Sequence, residues 1–124
     1  MRAYLIDPFK RLVTTVEYNG AIEEIYSFIQ ADCFDCCRFS TAHNDGCFVD
    51  DEGLFKDSQE FFMIGNYPSP LAGRGLVIGC DEWGESISAQ SSIDNLNIRF
   101  GKLVRLSPER VQFLIEEVVH EEEA

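Results

Sequence analysis

The sequence predicts an α+β fold: a small, mainly antiparallel sheet with one helix in the N-terminal half and another at the C-terminus. Three observations carry that expectation. Short runs rich in β-branched residues recur between turn signals. Two other stretches repeat their apolar residues at helical spacing. The strands come in runs with helices near each end, rather than in βαβ alternation. A chain of 124 residues with 45% apolar content suits a single domain over 1–124 with a packed core.

Tyr4-Leu5-Ile6 is a short apolar run ending at Asp7-Pro8, and Arg11 to Glu17 alternates Leu12, Thr14 and Val16 with Val13 and Thr15. Together they read as a β-hairpin turning through Asp7-Pro8-Phe9-Lys10. Asn19 then stands where a helix N-cap belongs, and Glu23 and Glu24 occupy the first turns, where the helix dipole favours acids. Ile22, Ile25, Tyr26 and Ile29 recur at helical spacing, so 20–30 is expected to be an amphipathic helix.

Cys33 to Ser40 alternates as a strand does, His43-Asn-Asp-Gly46 reads as a hairpin turn, and Cys47-Phe48-Val49 as the return strand. Asp51-Glu52-Gly53 is a second tight turn, followed by Leu54-Phe55, and Phe61 to Ile64 is apolar up to Gly65-Asn66. Tyr67-Pro-Ser-Pro70 must be a connecting loop, because its two prolines lack N–H donors. Leu76-Val77-Ile78 is the clearest buried strand. Asp81-Glu-Trp-Gly84 turns the chain so that Glu85 to Ser88 can pair back, and Gln90 to Asn95 is polar and loop-like. Asn97 to Leu106 reads as a last strand with a bulge at Gly101. Ser107-Pro108-Glu109 has the form of a helix start, and Val111, Leu114, Ile115 and Val118 the form of its buried stripe. The acidic residues from 119 to 124 then sit at the negative pole of that helix, where like charge is unfavourable, so this tail is expected to fray.

Charge narrows function more than any motif does. The net charge is −12, from 22 acidic and 10 basic residues. That balance repels phosphate backbones, whose binding needs Lys and Arg, and excludes a nucleic-acid binder working through a basic face. It attracts basic surfaces instead. Three stretches hold most of the acids: six between Asp45 and Glu60, three between Asp81 and Glu85, and five between Glu116 and Glu123. Arg99, Lys102, Arg105 and Arg110 gather in one late stretch. Carboxylates of Asp50, Asp51, Glu52, Asp81, Glu82 and Glu85, if they share a face, would imitate a phosphate array. No apolar run is long enough for an export signal or a membrane span, so a cytoplasmic protein with reduced thiols is expected.

The five cysteines raise a second possibility. No cofactor is expected, but Cys33, Cys36, His43 and Cys47 are four soft donors in the order of a zinc knuckle, which makes zinc a possible one. Their spacing departs from that motif: Cys36 to His43 is too long and His43 to Cys47 one residue short. On a hairpin, Cys33 and Cys37 would face one way and Cys36 the other. Buried thiols acting as small hydrophobes account for them at lower cost. A Cys–His nucleophile would have to draw on His43, beside Cys37 and Cys47, since His120 lies in the acidic tail. Gly73-Arg-Gly75 matches no phosphate-loop pattern.

Val49-Asp-Asp-Glu-Gly-Leu54, the Asn66-Tyr-Pro68 loop and Gly75-Leu-Val-Ile-Gly-Cys-Asp-Glu-Trp-Gly-Glu85 together resemble a family of small, uncharacterised proteins of phages and other mobile elements. In that family a hairpin and helix lead into a strand with an acidic E-G turn, and a hydrophobic strand ends in an acidic D-E-x-G-E turn. The resemblance covers about a third of the chain closely; the Cys-rich strand and the segment after Ser107 depart from it. It implies a mobile-element origin and a target inside the host cell, and carries over no site residue. The expectation is a non-enzymatic inhibitor that sets its acidic turns on the basic surface of a host protein or nucleoprotein complex, such as a CRISPR or restriction complex. The alternative is a zinc or small-ligand module at the cysteine cluster.

Overall fold

The computed structural model describes residues 1–39, 43–53 and 59–119 and is built from two antiparallel sheets and two short helices. β1 (Arg2–Asp7) and β2 (Leu12–Glu17) form the expected hairpin, in register from Arg2 opposite Glu17 to Asp7 opposite Leu12. The Asp7 carboxylate closes the turn by accepting from the backbone N–H groups of Phe9 and Lys10. The turn ends at Arg11, whose φ of 52° is left-handed.

Helix α1 (Ile22–Ile29) is shorter than the 20–30 expected, and its N-cap position is Ala21 rather than Asn19. Asn19 acts one step earlier: its Oδ1 accepts from the Ala21 N–H, while Glu24 Oε1 accepts from the Asn19 N–H. That reciprocal pair resembles a capping box displaced by two residues. Ile25 and Ile29 face inward, and Gln30 ends the helix with a left-handed φ of 56°.

The first sheet runs β2-β1-β7-β4-β3, where β3 is Phe34–Arg38, β4 Asp45–Asp50 and β7 Gly75–Cys80. The short strand β8 (Ser86–Ile87) pairs with the far end of β7, as the sequence suggested. The second sheet runs β10-β9-β5-β6, from β5 (Phe61–Met63), β6 (Leu71–Ala72), β9 (Arg99–Ser107) and β10 (Arg110–Val118).

The central strand β7 explains the layering. Its alternate side chains face opposite ways, as strand geometry requires. Leu76 and Ile78 pack with Ala3, Tyr18, Ile25 and Ile29 beneath α1. Val77 joins Tyr4, Ile6, Cys47, Phe62 and Phe100 in a larger core between the sheets. Gly75 is where the layers come closest: a Cβ there would lie 2.8 Å from Phe62 and 2.9 Å from the Cys47 sulfur.

Three expectations need correction. The turn placed at His43–Gly46 does not include Asp45 and Gly46, which are already in β4, opposite Gly79 and Ile78. Asp45 is buried, and its two carboxylate oxygens accept from the N–H groups of Gln90 and Ser91, tying that segment to the sheet. The polar stretch after Gln90 is not all loop: Ser92 caps a short helix α2 (Ile93–Leu96), whose Leu96 is buried. The largest correction is at the C-terminus. The second helix is α2, and the segment after Ser107 is the strand β10. Ser107 pairs with Arg110, so Pro108 and Glu109 are the two central residues of a hairpin turn. Proline suits the first of them as well as it suits a helix start. The bulge expected at Gly101 exists, but the extra residue, Glu116, is on β10, between Ile115 opposite Gly101 and Glu117 opposite Phe100. Gly101 is the residue that permits it, since a Cβ there would meet the Leu114 carbonyl oxygen. Leu54-Phe55 and the acids of the tail from 120 onward lie outside the described residues.

Candidate functional site: two acidic turns

The six carboxylates singled out above belong to two turns that the fold holds apart. β4 and β7 are antiparallel, with Val49 opposite Gly75 and Asp45 opposite Gly79. The turn after β4, which carries Asp50, Asp51 and Glu52, is therefore at one end of this strand pair, and the turn after β7, with Asp81, Glu82 and Glu85, is at the other. Five residues of strand separate them, about 17 Å. They do not form one continuous acidic patch.

Within each turn the carboxylates divide by role. Asp50 Oδ1 accepts from the Glu52 N–H, which folds the first turn and leaves Asp51 and Glu52 exposed. Asp81 does the same more thoroughly. Its Oδ1 accepts from the N–H groups of both Trp83 and Glu85, at 3.0 and 2.8 Å. Its backbone closes the loop through Asp81 N–H to Glu85 O and Gly84 N–H to Asp81 O. Gly84 supplies the φ of 82° that the reversal needs. Asp50 and Asp81 thus shape the turns, and Asp51, Glu52, Glu82 and Glu85 are presented to solvent.

The ordered turn at 81–85 presents Trp83, 79% exposed, with Glu82 and Glu85 exposed on the same turn. An indole at the tip of a hydrogen-bonded turn is an unusual use of the chain's single tryptophan, since most of its area gains nothing there from folding. Charge pattern alone did not single it out; the D-E-x-G-E spacing contained the signal, because its variable position is the tip. At the opposite end, Asp35, Asp50, Asp51 and Tyr67 line a cleft of about 260 Å³. Asp35 is paired with Val49, which lines the same cleft, so the two side chains share that face of the sheet.

The cysteine cluster does not assemble. Cys36 lies opposite Phe48, and Cys37 opposite Cys47, so Cys36 and Cys47 point to different faces of the sheet. Cys33 and His43 are exposed, while Cys47 is fully buried. Among the described residues no group of three or more His, Cys, Asp or Glu side chains converges on a metal position. Burial pushes the Cys36, Cys37 and Cys47 thiols up; near Cys37 the Tyr67 hydroxyl partly offsets this. Raised thiols stay protonated at neutral pH, the opposite of what an activated nucleophile requires.

Over 100 residues the chain is 31% identical to the uncharacterized protein y4iR of Sinorhizobium fredii (strain NBRC 101917 / NGR234), an alignment that covers 79% of this chain and 61% of that protein. The chain thus aligns with less than two-thirds of that relative's length. No protein-family model matches the sequence, and no solved structure matches the chain. No helix among the described residues is long and apolar enough to cross a membrane.

Proposed function

We propose that this is a non-enzymatic binding protein that seats its Trp83 turn on a basic protein surface, with Glu82 and Glu85 meeting Lys or Arg side chains around the indole. The observation that carries this reading is the exposure of Trp83 on a turn already held by four hydrogen bonds. A pre-ordered aromatic costs little conformational entropy on binding, and tryptophan is among the side chains that dominate interface energetics. Its face also attracts Arg and Lys directly. A chain of net charge −12 steers toward such surfaces over a distance set by ionic strength. Basic surfaces of this kind line the nucleic-acid grooves of protein complexes. In its specific form the proposal is a phage- or mobile-element-encoded inhibitor of a host defence complex, cytoplasmic in its action, which occupies such a groove in place of nucleic acid.

The separation of the two turns refines the mode of binding. A target must either span about 17 Å of strand to engage both, or use the Trp83 turn alone. The test is a pull-down from host lysate at low salt, with the salt eluate identified by mass spectrometry. Trp83→Ala and Glu82→Lys/Glu85→Lys leave Asp81 and the turn intact and should each lose the captured protein. Asp51→Lys/Glu52→Lys reports whether the far turn contributes. Capture of the same protein, undiminished by either change at the Trp83 turn, would show the reading to be wrong.

A further inference from the structure

The geometry points to a second copy of this chain as the partner of β10: two molecules pair these strands antiparallel about a two-fold axis close to Phe113. Among the described residues β10 is the end strand of its sheet and is bonded only to β9, so no described strand lies beside the outer edge of Arg110 to Ile115. β5 accompanies β9 no further than Gly101, so among the described residues the hairpin beyond that point is a two-stranded arm, with Pro68 to Pro70 across the groove from it. Of the ten exposed large hydrophobic residues among those described, Leu103, Leu106, Val111 and Leu114 are on it, and Ile115 and Val118 follow on β10 where β5 accompanies β9. Edge strands that stay monomeric are usually guarded by charge, proline or a bulge. From Val111 to Ile115 this edge has none of these, and the bulge at Glu116 comes only after it.

The charge order along β10 selects the occupant. Arg110 opens the strand, Glu116 and Glu117 close it, and the residues between are apolar apart from Gln112. In a two-fold antiparallel pair centred on Phe113, residues equally distant from the centre stand opposite each other on the same face. Val111 then meets the partner's Ile115 and Gln112 the partner's Leu114; beyond them the bulge, with Glu116 as its extra residue, sets the partner's Glu116 and the partner's Glu117 together opposite Arg110. The charge match is made twice, once at each end. Parallel pairing would set like charges side by side. The two copies would share one eight-stranded sheet, and an apolar groove of about 540 Å³ that crosses β5, β9 and β10, floored by Phe61, Met63, Leu103 and Phe113, would continue across the axis. Arg110 is in no ion pair among the described residues, and Glu116 already holds Arg11 within its own chain, so Glu117 is the carboxylate left for the exchange.

Sedimentation of the full chain over a concentration series tests the pairing. The expected result is a reversible species of twice the 14.1 kDa chain mass. Arg110→Glu, an exposed change that leaves the fold intact, should weaken association about tenfold or more by placing like charges together. Adding Glu117→Arg to it should restore association, because the pair is then exchanged rather than removed. A chain that stays monomeric at every concentration overturns the proposal. So does a dimer that Arg110→Glu leaves unchanged, or one that Trp83→Ala dissolves while Arg110→Glu does not.

Discussion

β7 and β10 are both apolar strands, and the fold treats them in opposite ways. Gly75 to Ile78 of β7 is buried on both faces, flanked by β1 and β4 and covered by α1 on one side and the second sheet on the other. Every β10 residue but Phe113 is exposed, and β9 is the only described strand beside it. Hydrophobic content does not separate the two. What separates them is position in the sheet: β7 has neighbours on every side and stabilises the fold, while β10 carries apolar side chains that the monomer leaves in water. Apolar area left in water along an open strand edge marks association more often than chance.

Truncation should expose that difference most strongly. Leu76→Ala removes a fully buried side chain facing α1 and should cost about 2–5 kcal/mol, as cavity-forming leucine truncations do. Leu114→Ala, on the arm, should change the unfolding midpoint by less than about 1 kcal/mol when measured in dilute monomer. Denaturant titration of the two variants side by side checks this. Equal losses would mean that the arm is packed in solution and that the contrast between the strands is mistaken.

A second, smaller effect tests how the buried sheet is fastened. Asp45→Ala leaves the N–H groups of Gln90 and Ser91 without their acceptor, in a place where the Ser91 hydroxyl already has no partner among the described residues. The expected loss is about 1–3 kcal/mol. Exchange of the Gln90 and Ser91 amide protons should accelerate relative to those of β7. By contrast Trp83→Ala, at a site with almost no buried area, should leave the midpoint within about 0.5 kcal/mol of the parent while abolishing capture of the basic partner. A large loss of stability there would make Trp83 a structural residue.

These contrasts also mark what could be read from residue order. The β1–β2 hairpin and β7 were legible because local signals agree there: β-branched alternation, the Asp7-Pro8 turn and a continuous apolar run all point to strands. The C-terminus was not. Val111, Leu114, Ile115 and Val118 fit helical spacing, yet Val111, Phe113 and Ile115 fit strand alternation equally well. Ser107-Pro108-Glu109 serves a helix start and a hairpin turn alike. Pairing with β9 decided between them, and no single-chain pattern reports pairing. Asp45 was misread for a related reason, since its acceptor role depends on N–H groups 45 and 46 residues away. The composition of the acidic turns was visible in advance. Their placement at opposite strand ends follows from the β4–β7 pairing, and the role of Trp83 as the tip follows from hydrogen bonds to Asp81.

The smallest effect concerns the ion pair that joins β10 to the β1–β2 hairpin. The bulge directs Glu116 toward Arg11 at the end of the β1–β2 turn, with an N–O distance of 2.5 Å and both side chains more than a third exposed. The hydrogen bond from the Arg11 guanidinium lowers the Glu116 carboxyl below its ordinary range and raises Arg11 in turn. A carboxyl lowered in the folded state stabilises it at pH values above the unfolded pKa, about 4.3, and loses that contribution as pH falls through the folded value. Glu116→Gln should therefore lower the midpoint slightly at pH 7, and the difference from the parent should vanish in acid below the carboxylate range. Added salt should shrink the pH 7 difference as well, because exposed pairs are screened. A difference that persists in acid would assign the contact to the shape of the bulge rather than to charge, and the arm would then be positioned by the backbone of β10 alone.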